Sequence, residues 1–117
     1  MTELEDILLA VADPEVSARF YTDLLGCRPV VSRPDRALFV LSSGRALGLL
    51  RRADGSAAIC EVDFPMAGPA AVDQAHADWW DRGARILTPP CDDQGAGRSF
   101  VAGDPDGHRL RVFAAAA

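Results

Sequence analysis

The residues best suited to chemistry lie in the last strand that the sequence predicts. From Arg109 to Phe113, two arginines and a phenylalanine alternate with Leu110 and Val112, a period of two that is typical of a strand with one buried face. The stretch before it, 104–107, reads Asp-Pro-Asp-Gly, whose residue types favour a tight turn. All twelve basic residues of the chain are arginine, which suits carboxylate or phosphate recognition better than lysine does, although we favour a coding bias that also gives the many alanines as the explanation.

Carboxylates that could work with these arginines are expected on two other strands. If Ile7, Leu9 and Val11 pack under a helix, strand alternation turns Asp6 and Leu8 to the opposite face. The same alternation applied to all predicted strands brings eight ligand-binding candidates to one concave face: Asp6, Leu8, Gly48, Ile59, Glu61, Arg109, Arg111 and Phe113. An apolar concavity with a few polar groups suits a small molecule. The competing interpretation is structural, because Asp6 and Glu61 could simply neutralise Arg109 and Arg111.

Other reactive side chains give weaker signals. His76 and His108 are isolated histidines, so we expect His76 to be a solvated or interface residue and His108 to have a structural role. Cys91 has no histidine placed to activate it and is expected to be an inert thiol. Of Trp79 and Trp80, helical spacing predicts that at least one packs in the core, and the other could lie at a subunit interface. The loop predicted over 89–97 has no periodicity and is expected to be a lid over the concave face.

Composition narrows the class of protein. A chain of 117 residues is expected to form one domain, and a net charge of −5 argues against a nucleic-acid partner. Three widely spaced cysteines indicate neither a disulfide framework nor a zinc site, and they fit a reducing cytoplasm. The acidic stretch 1–6 predicts neither a signal peptide nor a membrane span.

The predicted elements repeat along the chain. A capping Asp13 followed by Pro14 begins one helix and Gly26 ends it, while a second helix is predicted over 71–82. Strands are predicted over 7–11, 29–32, 36–41, 45–50, 57–64, 85–88, 100–102 and 109–113. This order is a βαβββ unit used twice, in modules of about 4–51 and 57–113. We therefore predict an α+β fold in one domain over 1–117, a curved eight-stranded mixed sheet with both helices on its outer face.

Three motifs carry a family resemblance. They are VADPEVSARFYTDLLG at 11–26, RGA at 82–84 and DPDGH at 104–108. With these motifs in both modules, the chain resembles the vicinal-oxygen-chelate superfamily, which includes glyoxalases, bleomycin-resistance proteins and extradiol dioxygenases. The resemblance implies the fold, and it implies a homodimer because such sheets commonly complete their cups by pairing.

The resemblance also implies where a metal would be held. In metal-dependent members, four ligands come from the first, fourth, fifth and eighth strands, and those positions here are Asp6, Gly48, Ala57 and Arg111. Gly48 and Ala57 have no ligating atoms, and Arg111 would repel a divalent cation. We therefore predict no metal and no cofactor, with room for a bulky guest where ligands would otherwise stand.

Two function hypotheses follow from the resemblance and this missing ligand set. The first is a cytoplasmic, homodimeric, metal-free protein of the bleomycin-resistance type, which sequesters an apolar or aromatic natural product. The second is a glyoxalase-type lyase or isomerase, with or without a divalent metal, that uses Asp6 or Glu61 as a base and Arg111 to steady an enolate. A third possibility is a domain that acts only through its dimer.

Overall fold

The computed structural model describes residues 7–41, 44–52, 59–93 and 97–114. In chain order the elements are β1 Ile7–Val11, α1 Pro14–Leu25, β2 Val31–Arg33, β3 Arg36–Val40, β4 Ala46–Arg51, β5 Glu61–Pro65, α2 Pro69–Asp81, β6 Arg85–Asp93, β7 Gly97–Gly103 and β8 Arg109–Ala114. The predicted α+β class and the twice-used βαβββ order are confirmed. No helix within these residues is long and apolar enough to cross a membrane.

The described strands pair into two sheets of four. The first sheet has the order β1-β4-β3-β2 and the second has the order β5-β8-β7-β6, each with one parallel pair. The chain divides into two compact units at the same place, residues 1–58 and 59–117. Each unit therefore has its own helix and sheet, and the single eight-stranded sheet and the one-domain organisation stay predictions.

In the first unit, local chemistry sets both ends of α1. The Asp13 side chain accepts a hydrogen bond from the Glu15 N–H at 3.0 Å, and Gly26 ends the helix in the left-handed region with φ of 71°. Both ends agree with the prediction. The helix buries Tyr21, whose ring lies 6.4 Å from that of Phe39 on β3. The core of this unit is completed by the buried side chains Leu9, Val11, Leu24, Leu47 and Leu49.

In the second unit, α2 begins at Pro69, two residues before the predicted start. Trp79 is buried between Phe64 and Phe100, at ring distances of 5.7 and 5.5 Å, which confirms that one tryptophan packs in the core. Because Phe100 is in register with Val112, the face of the second sheet that carries these two residues is the one covered by α2.

The prediction of a loop over 89–97 is wrong for the part that the structure describes, and its role as a lid stays a prediction. Strand β6 continues through Asp93 and pairs with β7, with Cys91 opposite Ser99 and Asp92 opposite Arg98. Two register irregularities interrupt the pairing. Because β6 is an edge strand, it accommodates Pro89 and Pro90, which lack the N–H that a central strand needs.

An ion-pair cluster joins α2 to this hairpin. The Arg98 guanidinium donates hydrogen bonds to Asp73 at 2.7 Å and to Asp92 at 3.0 Å. These bonds, the one to Asp73 first, raise the pKa of Arg98 above its ordinary value.

The start of β5 also differs from the prediction. The strand begins at Glu61, whereas Ile59 and Cys60 precede it and residues 57–58 lie outside the described residues. The Cys60 N–H donates to the ring Nδ1 of His108 at 3.0 Å, and its carbonyl oxygen accepts from the Arg109 N–H at 2.9 Å. The Cys60 N–H thus donates its hydrogen bond to a side chain and not to the backbone of a neighbouring strand. Strand β1 has its predicted bounds, and β3, β6 and β8 begin at the predicted residues. Apart from the start of β5 and the end of β6, the remaining strand ends differ from the prediction by one to three residues.

The predicted turn over 104–107 is confirmed. The Asp104 Oδ1 accepts hydrogen bonds from the N–H groups of Asp106 at 2.9 Å and His108 at 2.8 Å. Gly107 has φ of 88°, a conformation that favours glycine. This turn sets the start of β8 and hence which of its side chains point away from α2.

Candidate functional site

The face of the second sheet that points away from α2 carries most of the charged candidates. On β8, Leu110 and Val112 are buried on the α2 side, and the alternating residues are Arg109, Arg111 and Phe113. Parallel pairing with β5 places Glu61 beside Arg109, Asp63 beside Arg111 and Pro65 beside Phe113. The structure thus brings four predicted candidates, Glu61, Arg109, Arg111 and Phe113, to one sheet face.

Arg111 is held against an aromatic ring on this face. Its guanidinium carbon lies 4.6 Å from the centroid of the Phe113 ring, within the range of a cation–π contact. Val101 and Ser99 of β7 are the neighbours of Arg111 and Phe113 on the other side. Arg111 is therefore a half-buried cation that rests on an apolar ring. Its guanidinium can bind a carbonyl, carboxylate or phosphate oxygen.

The structural interpretation, in which carboxylates neutralise Arg109 and Arg111, can be checked here for Glu61. Among the described residues, no ion pair within 4 Å joins Glu61 to Arg109 or Arg111. Asp6, the other expected partner, lies outside the described residues.

The residue that sequence reasoning missed is Asp63. It is the neighbour of Arg111 on β5, whereas the resemblance had pointed to Ala57, which lies outside the described residues. Counting two residues on from Glu61 would have found Asp63, because alternate residues of a strand share a face. Motif matching fixes which strand a residue belongs to but not its register with the next strand.

The first sheet presents an apolar face on the side opposite its core. Leu9, Val11, Leu47 and Leu49 are buried, while Leu8 is 64% exposed and Leu50 is 42% exposed. Gly48 lies between Leu8 on β1 and Leu38 on β3.

The space over Gly48 is already filled. A Cβ atom added to Gly48 would lie 2.7 Å from Cδ2 of Leu8. The expectation that this glycine leaves room for a guest is therefore wrong, because the Leu8 side chain lies across it. A ligand can use this position only if Leu8 moves, which its exposure permits.

Three remaining candidates lie around the second sheet, with Ile59 before β5, His108 before β8 and His76 on α2. Ile59 is 56% exposed, and its Cδ1 lies 3.5 Å from where a Gly107 Cβ would be, at the turn before β8. His108 is buried, and its Nδ1 accepts from Cys60, which confirms its structural role. His76 is half-buried, with its ring against Phe100 and Trp80.

Neither sheet, taken by itself, offers a divalent metal a set of ligands at these positions. In the first sheet the paired residues Leu8 and Gly48 carry no ligating side-chain atom, and in the second sheet the carboxylate of Asp63 stands beside the guanidinium of Arg111. Across the part of the chain that the structure describes, no three His, Cys, Asp or Glu side chains form a group that could hold a metal ion. Hard cations need several oxygen ligands, and transition metals usually need imidazole or thiolate as well.

Comparisons with known proteins agree with this architecture. A family model described as a glyoxalase-like domain matches residues 6–113. Protein ATC0852 from Agrobacterium tumefaciens, a solution NMR structure, is 37% identical over 100% of both chains with a TM-score of 0.81. A glyoxalase/bleomycin resistance protein from Albidiferax ferrireducens T118 is 26% identical over 97% of this chain and 99% of that chain, with a TM-score of 0.70.

A more distant likeness concerns the fold alone. The lactoylglutathione lyase from Agrobacterium tumefaciens is 18% identical over 97% of this chain and 94% of that chain, with a TM-score of 0.83. No sequence among the curated proteins matches the chain.

Proposed function

Because the chain belongs to the glyoxalase-like domain family, as the resemblance to the vicinal-oxygen-chelate superfamily predicted, we propose that it is a metal-free binding protein of the bleomycin-resistance type. Its ligand is an apolar or aromatic small molecule, which it sequesters without breaking a bond. One observation carries the proposal: on the face of the second sheet that points away from α2, Arg111 lies against the Phe113 ring, and its neighbour on β5 is a single carboxylate, Asp63, and not a set of metal ligands.

Arg111 and Phe113 are the main contacts of this proposed ligand. An aromatic ring of the ligand packs beside Phe113 and buries apolar surface. An oxygen atom of the same ligand accepts a hydrogen bond from the Arg111 guanidinium, which lies against Phe113. Glu61 and Arg109 are paired two residues before Asp63 and Arg111 on the same sheet face. They determine which charge is favoured on the part of the ligand that extends beyond its ring.

A homodimer in the cytoplasm remains part of the proposal. Exposed apolar side chains such as Val40 and Ile59 favour an oligomer that covers them. Light scattering on the purified protein tests the dimer, and a mass of one chain at micromolar concentration contradicts it.

The first experiment is elemental analysis of the purified chain. The protein is incubated with excess Ni²⁺, Zn²⁺, Mn²⁺ or Fe²⁺ and desalted, and we expect less than about one metal per ten chains. A screen of aromatic natural products by tryptophan fluorescence then identifies ligands. Retention of about one metal per chain contradicts the metal-free proposal.

A second candidate function is favoured by the position of Asp63 beside Arg111. A carboxylate base next to a fixed cation could remove a proton from carbon and stabilise the enolate that forms, which is lyase or isomerase chemistry. The test uses lactoylglutathione as substrate, because one distant relative is a lactoylglutathione lyase. Turnover that Asp63→Asn abolishes and Glu61→Gln preserves would support this candidate, and no turnover by the unaltered chain removes it for this substrate.

A further inference from the structure

A hollow lies on the other side of the second sheet from Arg111 and Phe113. Its volume is about 600 Å³, and it is lined by His76, Ala77, Trp80, Asp81, Ile86 and Pro89. The four lining residues of α2 share one helix face, since His76 and Trp80 are four positions apart, as are Ala77 and Asp81. Ile86 is in register with the buried Ala102, so it belongs to the α2 side of the sheet. We call this feature the α2–β6 hollow.

The helix side of the α2–β6 hollow is aromatic. Trp80 is 64% exposed although its neighbour Trp79 is buried in the core. The His76 ring lies 6.4 Å from Trp80 at an angle of 35°, and it rests against Phe100 at 5.3 Å. Phe100 thus holds the imidazole in place, and the two rings form a preformed wall against which a flat ligand can stack.

The charge beside this wall is negative. Asp81 lines the hollow, and no ion pair reaches it from any residue that the structure describes. Asp73 and Asp92, in contrast, already share the guanidinium of Arg98. Arg85 precedes Ile86 and is in register with Gly103, so strand alternation turns it to the opposite face of the sheet.

We propose that the α2–β6 hollow is a second binding site, and that its ligand is a flat aromatic cation such as a fused-ring amine. The ring stacks on Trp80 and His76, Ile86 and Pro89 cover its edge, and the charged nitrogen lies against the Asp81 carboxylate. The volume is in the range of about 300–1,000 Å³ that holds drug-sized ligands. The net charge of −5 raises the local concentration of cations around the whole chain.

The test is an NMR titration with three tricyclic probes of similar shape at mildly alkaline pH: cationic proflavine, neutral acridine and anionic anthracene-9-carboxylate. We expect shifts at the Trp80 indole N–H and at the amides of residues 76–81 and 86–88, with proflavine bound most tightly. Trp80→Ala should weaken proflavine about tenfold, the size of one good cation–π and stacking contact. Because Trp80 is exposed, this variant should keep the rest of the amide spectrum.

Matched variants separate site binding from general charge attraction. Asp81→Asn should weaken proflavine three- to tenfold and leave acridine unchanged, whereas Asp23→Asn, which removes an exposed carboxylate of α1, should alter neither. Equal losses for Asp81→Asn and Asp23→Asn, equal affinity for all three probes, or no shifts around residues 76–88 would each overturn the proposal. Shifts that disappear in Arg111→Met would assign the probe to the opposite face. The metal analysis does not involve this hollow, so each proposal can fail alone.

Discussion

The buried ring of His108 connects β8 to the residues that precede β5, because its Nδ1 accepts a hydrogen bond from the Cys60 N–H at 3.0 Å. Nδ1 must carry its lone pair to do so. The first prediction concerns this bond. His108→Ala should lower the free energy of unfolding by about 2–4 kcal/mol, because it leaves a cavity and leaves the partly buried Cys60 N–H without this acceptor.

His108→Asn is the matched control for that prediction. An asparagine oxygen can occupy a position close to that of Nδ1, so this variant should lose clearly less stability in a urea titration. Equal midpoints for the two variants would mean that packing of the ring, and not its acceptor, stabilises the fold.

The second prediction concerns the turn before β8. Gly107 has φ of 88°, so Gly107→Ala should lower the free energy of unfolding by about 1–2 kcal/mol. Gly107→Asn should cost less, since asparagine adopts the left-handed region more readily. Chemical denaturation of both variants measures the difference, and an alanine variant as stable as the unaltered chain would contradict it.

The third prediction concerns Leu8 and Gly48. Gly48→Ala should change stability by less than about 1 kcal/mol, because the gain from a residue with less backbone freedom offsets the displacement of Leu8. In a Leu8→Ala background the same substitution should stabilise the fold by about 0.5 kcal/mol, since nothing then has to move. A double-mutant cycle with no coupling would show that Leu8 does not restrict this position.

The fourth prediction concerns the ligand proposed for the Arg111 face. For the tightest compound of the natural-product screen, Phe113→Ala and Arg111→Met should each raise Kd about tenfold. Arg19→Met, which removes an exposed guanidinium of α1, should leave Kd unchanged. Isothermal titration calorimetry on the three variants measures Kd. Equal affinities would show that the ligand does not bind to this face.

The fifth prediction concerns salt and pH at Arg98. Arg98→Met should lower stability slightly, and the loss should shrink at high salt because the ion pairs are exposed. A raised pKa means that the contribution is complete below the ordinary arginine value and disappears only as pH rises through the raised one. Arg98 therefore stays charged between about pH 6 and pH 9, and its titration should not change the difference in free energy of unfolding between Arg98→Met and the unaltered chain over that range. A decline over that range would contradict this assignment.

Several features of this fold were predictable because neighbours in the sequence determine them. The ends of α1 follow from a capping Asp13 and from Gly26, and the turn at 104–107 follows from its aspartates and glycine. The division of each strand into two faces follows from the alternation of side chains. These features need only contacts within a few residues.

The sequence by itself therefore determined the order of the elements, the capped helix and the face on which Arg111 and Phe113 lie. Only the tertiary structure decided that β6 extends past Pro89 and Pro90, that Asp63 stands beside Arg111, and that Leu8 lies over Gly48. It also decided that α2 and β6 enclose a hollow beside Trp80. The physical reason is that register, edge position and side-chain placement depend on contacts between distant segments, and no local pattern of residues encodes them.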